Sequence, residues 1–252
     1  MDSTVVGALV FAVLFGAGLL GVRVRAALPE DHLSAETKDA VKVGMGLVAT
    51  MAALVLGLLV ASTKGAYDTQ KGEVTQMAAK IVFLDRVLAN YGSESAESRD
   101  LLRRSVGSAI NHMWPNKKLS HAAELDPSES SGEVFFNSIQ KLSPQNDVQR
   151  SLKSQVTQIA TDLGQMRWLL FEQTESSISL AMLIILIAWL AIIFMSAVLF
   201  APPNATVIIA VMLAALSVAG AIFLILELDM PFDGVIQISP TPMRNALVHL
   251  GH

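Results

Sequence analysis

The chain has 252 residues, 52% hydrophobic and only 16% charged, with a mean hydropathy of +0.51. Ordinary soluble domains carry roughly 25% charged residues, so the balance is that of a membrane protein. A net charge of −4 without a basic tract argues against nucleic acid as a partner, and the lack of cysteine excludes disulfides, thiolate metal sites and cysteine nucleophiles.

Four stretches carry no formal charge and are long enough to cross a hydrocarbon core: Thr4 to Val22, Val43 to Ser62, Ile178 to Ala201 and Ala205 to Leu226. The first reads as a retained anchor. No Lys or Arg precedes it, and Arg25 interrupts a small-residue cleavage pattern. Pro29 breaks the chain after it, and Ser34-Ala35-Glu36-Thr37 has the pattern of a helix cap for the second span. Small residues recur every four positions at Ala8, Ala12 and Gly16, and again at Ala49, Ala53, Gly57 and Ala61. Such faces let membrane helices approach closely. They predict packing within the subunit or, alternatively, contacts in a homo-oligomer.

Residues 63 to 177 form a hydrophilic insert with 13 Lys and Arg against 14 Asp and Glu. Its first part places Val74, Met77, Ile81, Leu84, Leu88 and Tyr91 at heptad spacing, so the second membrane helix is expected to continue outward from about Val41 to Tyr91. Its last part does the same with Val148, Leu152, Val156, Ile159, Leu163, Met166 and Leu170, and is expected to run straight into the third span. Between them, Leu102, Val106, Ile110 and Met113 predict one helix, and Val134, Phe135, Ile139 and Leu142 a shorter one. Loops fall at Trp114-Pro115-Asn116-Lys117-Lys118 and at residues 126 to 132.

Only residues 201 to 205 join the third and fourth spans, which makes them an antiparallel hairpin. The resulting fold is all-α: four transmembrane helices in two pairs, with a helical extramembrane bundle inserted between helices two and three. Its segments are 1–62, 63–177, 178–226 and a tail, 227–252. No Lys or Arg precedes the first helix and Arg23 and Arg25 follow it, which places the N-terminus and the insert outside, in the periplasm of a cell with an inner membrane.

Enzymatic signatures are missing. There is no G-x-S-x-G, P-loop, dinucleotide fingerprint or H-E-x-x-H, and the reading is of a protein without catalysis or cofactor. No ionisable residue lies within the four spans, which argues against proton-coupled transport. Histidines stand at 32, 112, 121, 249 and 252, and only His249 and His252 share a helical spacing, in a tail expected to fray.

The tail opens with Leu226-Glu227-Leu228-Asp229-Met230-Pro231-Phe232-Asp233-Gly234. Three carboxylates in seven residues have the composition of a hard-cation or pore-mouth site, but Met230, Pro231 and Phe232 interrupt the alternation that calcium loops use. The preferred reading is a helix exit, with Pro231 ending the helix, Phe232 in the membrane interface and Glu227, Asp229 and Asp233 in water.

That closing stretch, through Pro240 and then Met243-Arg244-Asn245-Ala246-Leu247, resembles the terminal motif of a bacterial multi-pass membrane family labelled bestrophin-like. Leu28-Pro29, Trp114-Pro115 and Phe200-Ala201-Pro202-Pro203-Asn204 sit where that family has similar features. Pro231, Phe232 and Gly234 carry the specific part of the match. The resemblance implies an inner-membrane protein with two plus two helices around a helical domain, and no assigned activity. True bestrophins are pentameric, calcium-gated chloride channels. This sequence lacks their aromatic pore neck and their run of consecutive acids, so neither calcium nor chloride carries over. The leading expectation is an oligomeric scaffold or sensor-like module, with a protein partner on the insert. The alternative is a homo-oligomeric ion channel lined by the small-residue faces of helices one and two.

Overall fold

The computed structural model describes residues 2–29, 34–114, 131–172, 178–202 and 204–251. Among these the elements are helices: α1 (Ser3–Ala27), α2 (Ala35–Tyr91), α3 (Ala96–Met113), α4 (Ser131–Lys141), α5 (Asp147–Glu172), α6 (Leu180–Leu199), α7 (Ala205–Leu228) and α8 (Thr241–His249), with one 3-10 turn at Ser93–Ser95. Four of them, α1, α2, α6 and α7, are long and apolar enough to cross a membrane. His32, Pro115, Lys117, Lys118, His121, residues 126 to 130, Pro203 and His252 lie outside the described residues. Ser131 and Gly132, expected in a loop, begin α4.

Contacts divide the chain into two compact units. The first comprises Met1–Ala66, Ser176–Met230 and Gly234–Ile236; the second comprises Tyr67–Glu175, Pro231–Asp233 and Gln237–His252. In the first unit α1 is the shared neighbour, packing along both α6 and α7, which touch each other only slightly. Loop length alone would have grouped α6 with α7. The buried face of α1 is Ser3, Gly7, Val10, Leu14, Gly18 and Gly21, a seam of three- and four-residue steps. Gly7 lies against Phe223 and Gly18 against Val211, so α1 and α7 are antiparallel. At the other end of α1, the Arg25 guanidinium donates to the carbonyls of Leu199 (3.3 Å) and Ala201 (2.9 Å), satisfying acceptors that the end of α6 leaves open.

In the second unit the α2 seam is buried as spaced: Val74, Met77, Ile81, Leu84, Leu88 and Tyr91 are all at most 6% exposed. Lys80 Nζ meets Asp162 Oδ2 at 2.7 Å, and Gln149 Nε2 donates to the Tyr91 carbonyl at 3.1 Å, which fixes α2 and α5 antiparallel. In the α5 seam Val156, Ile159 and Leu170 are buried, and Leu152, Leu163 and Met166 are half-buried. Val148, expected to belong to it, is instead exposed in the first turn of α5, where the contact with α2 is made by the neighbouring Gln149.

Helix boundaries follow local chemistry. Ser34 Oγ accepts from the Thr37 N–H at 3.3 Å and caps α2 as expected. Gly92, with φ of +119°, ends α2 in a conformation that a side chain would strain. The expected continuity of α5 into α6 is corrected: Ser179 has extended backbone (φ −64°, ψ 119°) and its carbonyl starts α6 by accepting from Met182 and Leu183. The expected frayed tail is corrected too. Residues 241–249 form α8, which packs on α3 and buries Met243, Ala246 and Leu250, because a three- and four-residue apolar step follows Pro242 in the first turn. His249 is exposed.

Behind α8 sits a buried ion pair. Asp85 is 1% exposed and receives two hydrogen bonds from Arg99, Nε at 2.8 Å and Nη2 at 2.9 Å, and a third from the Gly251 N–H at 3.3 Å. Burial pushes the Asp85 carboxyl up. Those hydrogen bonds and the charges of Arg99 and Arg86 outweigh it, and hold the group below the ordinary aspartate value.

Candidate functional site: the exit of α7 and the open face of α2

The acidic stretch does not form a three-carboxylate site. Glu227 is 2% exposed, Asp229 half-buried and Asp233 exposed, and among the described residues no three carboxylates or imidazoles converge on one point. The expectation that all three acids stand in water is corrected for Glu227. Its Oε1 accepts from the hydroxyl of Ser3, in the first turn of α1, and its Oε2 from the N–H groups of Val235 and Ile236, the latter at 3.1 Å. A buried carboxylate must replace its hydration with donors of this kind. With both oxygens taken, Glu227 has its ligands inside the protein.

Gly234 makes this possible. Its φ is +87°, and a Cβ there would stand 2.6 Å from Glu227 Oε2. Only glycine tolerates both the conformation and the approach. The helix itself stops at Leu228, two residues before Met230, where the following Pro231 disfavours helical backbone. Phe232, expected in the membrane interface, instead joins the core of the second unit, with its ring edge-on to Trp114 at 5.6 Å. Trp114 Nε1 donates to the Ile238 carbonyl at 2.8 Å, and the Ile238 N–H to the Pro231 carbonyl at 2.7 Å. Pro231 is buried. Glu227, Pro231, Phe232, Gly234 and Ile238 thus each have a packing or hydrogen-bonding reason to be there.

The small-residue faces are placed differently from the expectation of packing within the subunit. Ala8, Ala12 and Gly16 are exposed, and a side chain added at Gly16 would meet nothing within 4 Å. Close approach is made one face round by Gly7, Gly18 and Gly21. A Cβ at Gly18 would lie 2.7 Å from Val211 Cγ1, and one at Gly21 2.5 Å from the Met195 carbonyl oxygen. The signal was in the sequence, as glycines falling on the same helical face as Val10 and Leu14.

On α2, Ala49 is half-buried and Ala53, Gly57 and Ala61 are exposed, while Ala52, Leu59 and Thr63 face the core. At 100° per residue the open surface of this span divides in two. One strip carries Gly46, Thr50, Ala53, Gly57 and Ala61, with the exposed Val60 along its edge; the other carries Leu47, Met51, Leu54 and Leu58. Thr50 donates to the Gly46 carbonyl at 2.9 Å, so the first strip is smooth, uncharged and internally satisfied. The second is bulky, apolar and exposed in the single subunit.

A model of the bestrophin-like domain matches residues 12–243. Among solved structures, the crystal structure of a point variant of a bacterial bestrophin homologue from Klebsiella pneumoniae is similar, with a TM-score of 0.59 and 15% identity, covering 97% of this chain and 99% of that one. At that identity the likeness is one of fold. A search of curated proteins finds no match.

Proposed function

The chain belongs to the bestrophin-like family, and from that premise we propose that it is a homo-oligomeric ion channel of the bacterial inner membrane, acting without catalysis or cofactor. Bestrophins are ion channels, and this chain shares the fold of a bestrophin homologue over nearly its whole length. The observation that carries the reading is the smooth strip of α2: Thr50, Ala53, Gly57 and Ala61 are open in the single subunit and bear no charge. Copies arranged around an axis would turn these strips toward a shared path and the leucine strips toward lipid or a neighbour. Gly46 to Ala61 spans sixteen residues, about 24 Å of helix, most of a hydrocarbon thickness. Residues 67–175 would stand on the periplasmic side.

Planar-bilayer recording of the purified protein tests this. Reproducible ion-selective current, abolished by Gly57→Leu in the strip and kept in Leu54→Ala beside it, is the expected result. Absence of current from correctly assembled oligomer would contradict it. The second reading is then a non-conducting scaffold or sensor-like module, favoured by the exposed, adjacent Trp168 and Leu169 of α5, at 72% and 50%, as part of a partner-binding surface. Protease cleavage of the insert in intact spheroplasts tests the orientation; protection would reverse it.

A further inference from the structure

Glu227 occupies an unfavourable position. It stands in the last turn of α7, the negative end of the helix dipole, and is almost fully withdrawn from water. Three donors answer it, and all are neutral: the Ser3 hydroxyl and two consecutive N–H groups, of Val235 and Ile236. Those N–H groups follow Gly234 at positive φ, the turn geometry that gathers backbone donors around an anion. The missing Cβ of Gly234 leaves the space that the carboxylate fills. On the other side, the same carboxylate lies at the N-terminus of α1, the end of a helix that attracts negative charge.

We infer that Ser3, Gly234, Val235 and Ile236 form a carboxylate receptor that Glu227 fills from within, a latch that closes the first turn of α1 and residues 234 to 236 onto the end of α7. The latch does not depend on conduction. It closes while residue 227 presents an accepting oxygen to the paired N–H groups and a hydrogen-bond partner to the Ser3 hydroxyl. Loss of the carboxylate leaves two backbone donors to water and releases both segments together.

Hydrogen exchange of the full chain in detergent, read by mass spectrometry on the peptide covering 234 to 238, tests the inference. In Glu227→Ala the Val235 and Ile236 amides are expected to exchange about tenfold faster. Acetate replaces the deleted CH2–COO− group with CH3–COO− and is expected to slow them again, while chloride at equal concentration leaves them fast. Glu227→Gln, whose carbonyl oxygen can accept from the paired N–H groups while its NH2 donates to the Ser3 oxygen, is expected to keep the same amides slower than Glu227→Ala does. Exchange at Val235 and Ile236 in Glu227→Ala no faster than in the natural chain, or acetate no better than chloride, would overturn the latch. Should Glu227→Ala fail to fold, Ser3→Ala removes one donor from the folded chain. Faster exchange at 234 to 238 then supports the latch, and unchanged exchange overturns it.

Discussion

The two parts of α2 differ although the helix is unbroken. From Val74 to Tyr91 it buries a large side chain at nearly every third or fourth position, whereas from Ala35 to Ala66 its buried residues are Ala52, Leu59 and Thr63. Polar residues such as Gln76, Arg86 and Asn90 stand exposed between the buried ones from Val74 to Tyr91, and there polarity sorts residues between core and surface. The other part is apolar all round, and lipid is as apolar as a leucine side chain. What sorts residues there is size. The cores reflect this: the extramembrane unit interlocks large aliphatic residues with a buried ion pair, while the membrane unit places Gly7, Gly18 and Gly21 where backbones meet.

If that contrast is right, the largest effect comes from giving a membrane glycine a side chain. Gly21→Leu forces a Cβ against the Met195 carbonyl, where backbone has to move, so folded protein is expected to be lost in size-exclusion chromatography of detergent extracts. Gly16→Leu, five residues earlier with nothing within 4 Å, is expected to leave the subunit folded. Equal behaviour of the two would break the size argument.

Next comes the ion pair of the extramembrane unit. Asp85→Ala leaves Arg99 with its buried partner gone and is expected to cost about 3–5 kcal/mol in thermal or denaturant unfolding. Acid probes the same pair more gently. Because the folded-state pKa of Asp85 is depressed, its contribution is fully present above the unfolded-state value and is lost as pH falls through the lower folded value. Stability is therefore expected to be flat in this respect at neutral pH and to drop below about pH 4, less steeply in Asp85→Asn. The smallest effect belongs to Lys80 and Asp162, whose side chains are 39% and 35% exposed. Lys80→Met is expected to cost only about 0–1 kcal/mol.

The same contrast explains what was legible in the sequence. The α2 seam, the Ser34 cap and α3 could be read because heptad spacing and capping chemistry are written in residue types that water distinguishes. The membrane face could not be read that way. Ala8, Ala12 and Gly16 form as regular a stripe as the buried one, and regularity among small residues does not say which stripe meets a neighbour. α8 was missed because Met243, Ala246 and Leu250 are too few to stand out until α3 is beside them. At the α7 exit, Pro231 and Gly234 were legible as a stop and a turn. The role of Glu227 was not, because Ser3, which completes its shell, lies 224 residues away.

The proposal that the small strip of α2 faces a water-filled path has a direct test, made clean by the absence of cysteine from the chain. Gly57→Cys and Leu54→Cys would each be exposed, in native membranes, to a charged thiol reagent that does not cross lipid. Modification of the cysteine at 57, with block of current, and protection of the one at 54 is the predicted result. Labelling at 54 with protection at 57, or labelling at neither, would contradict it.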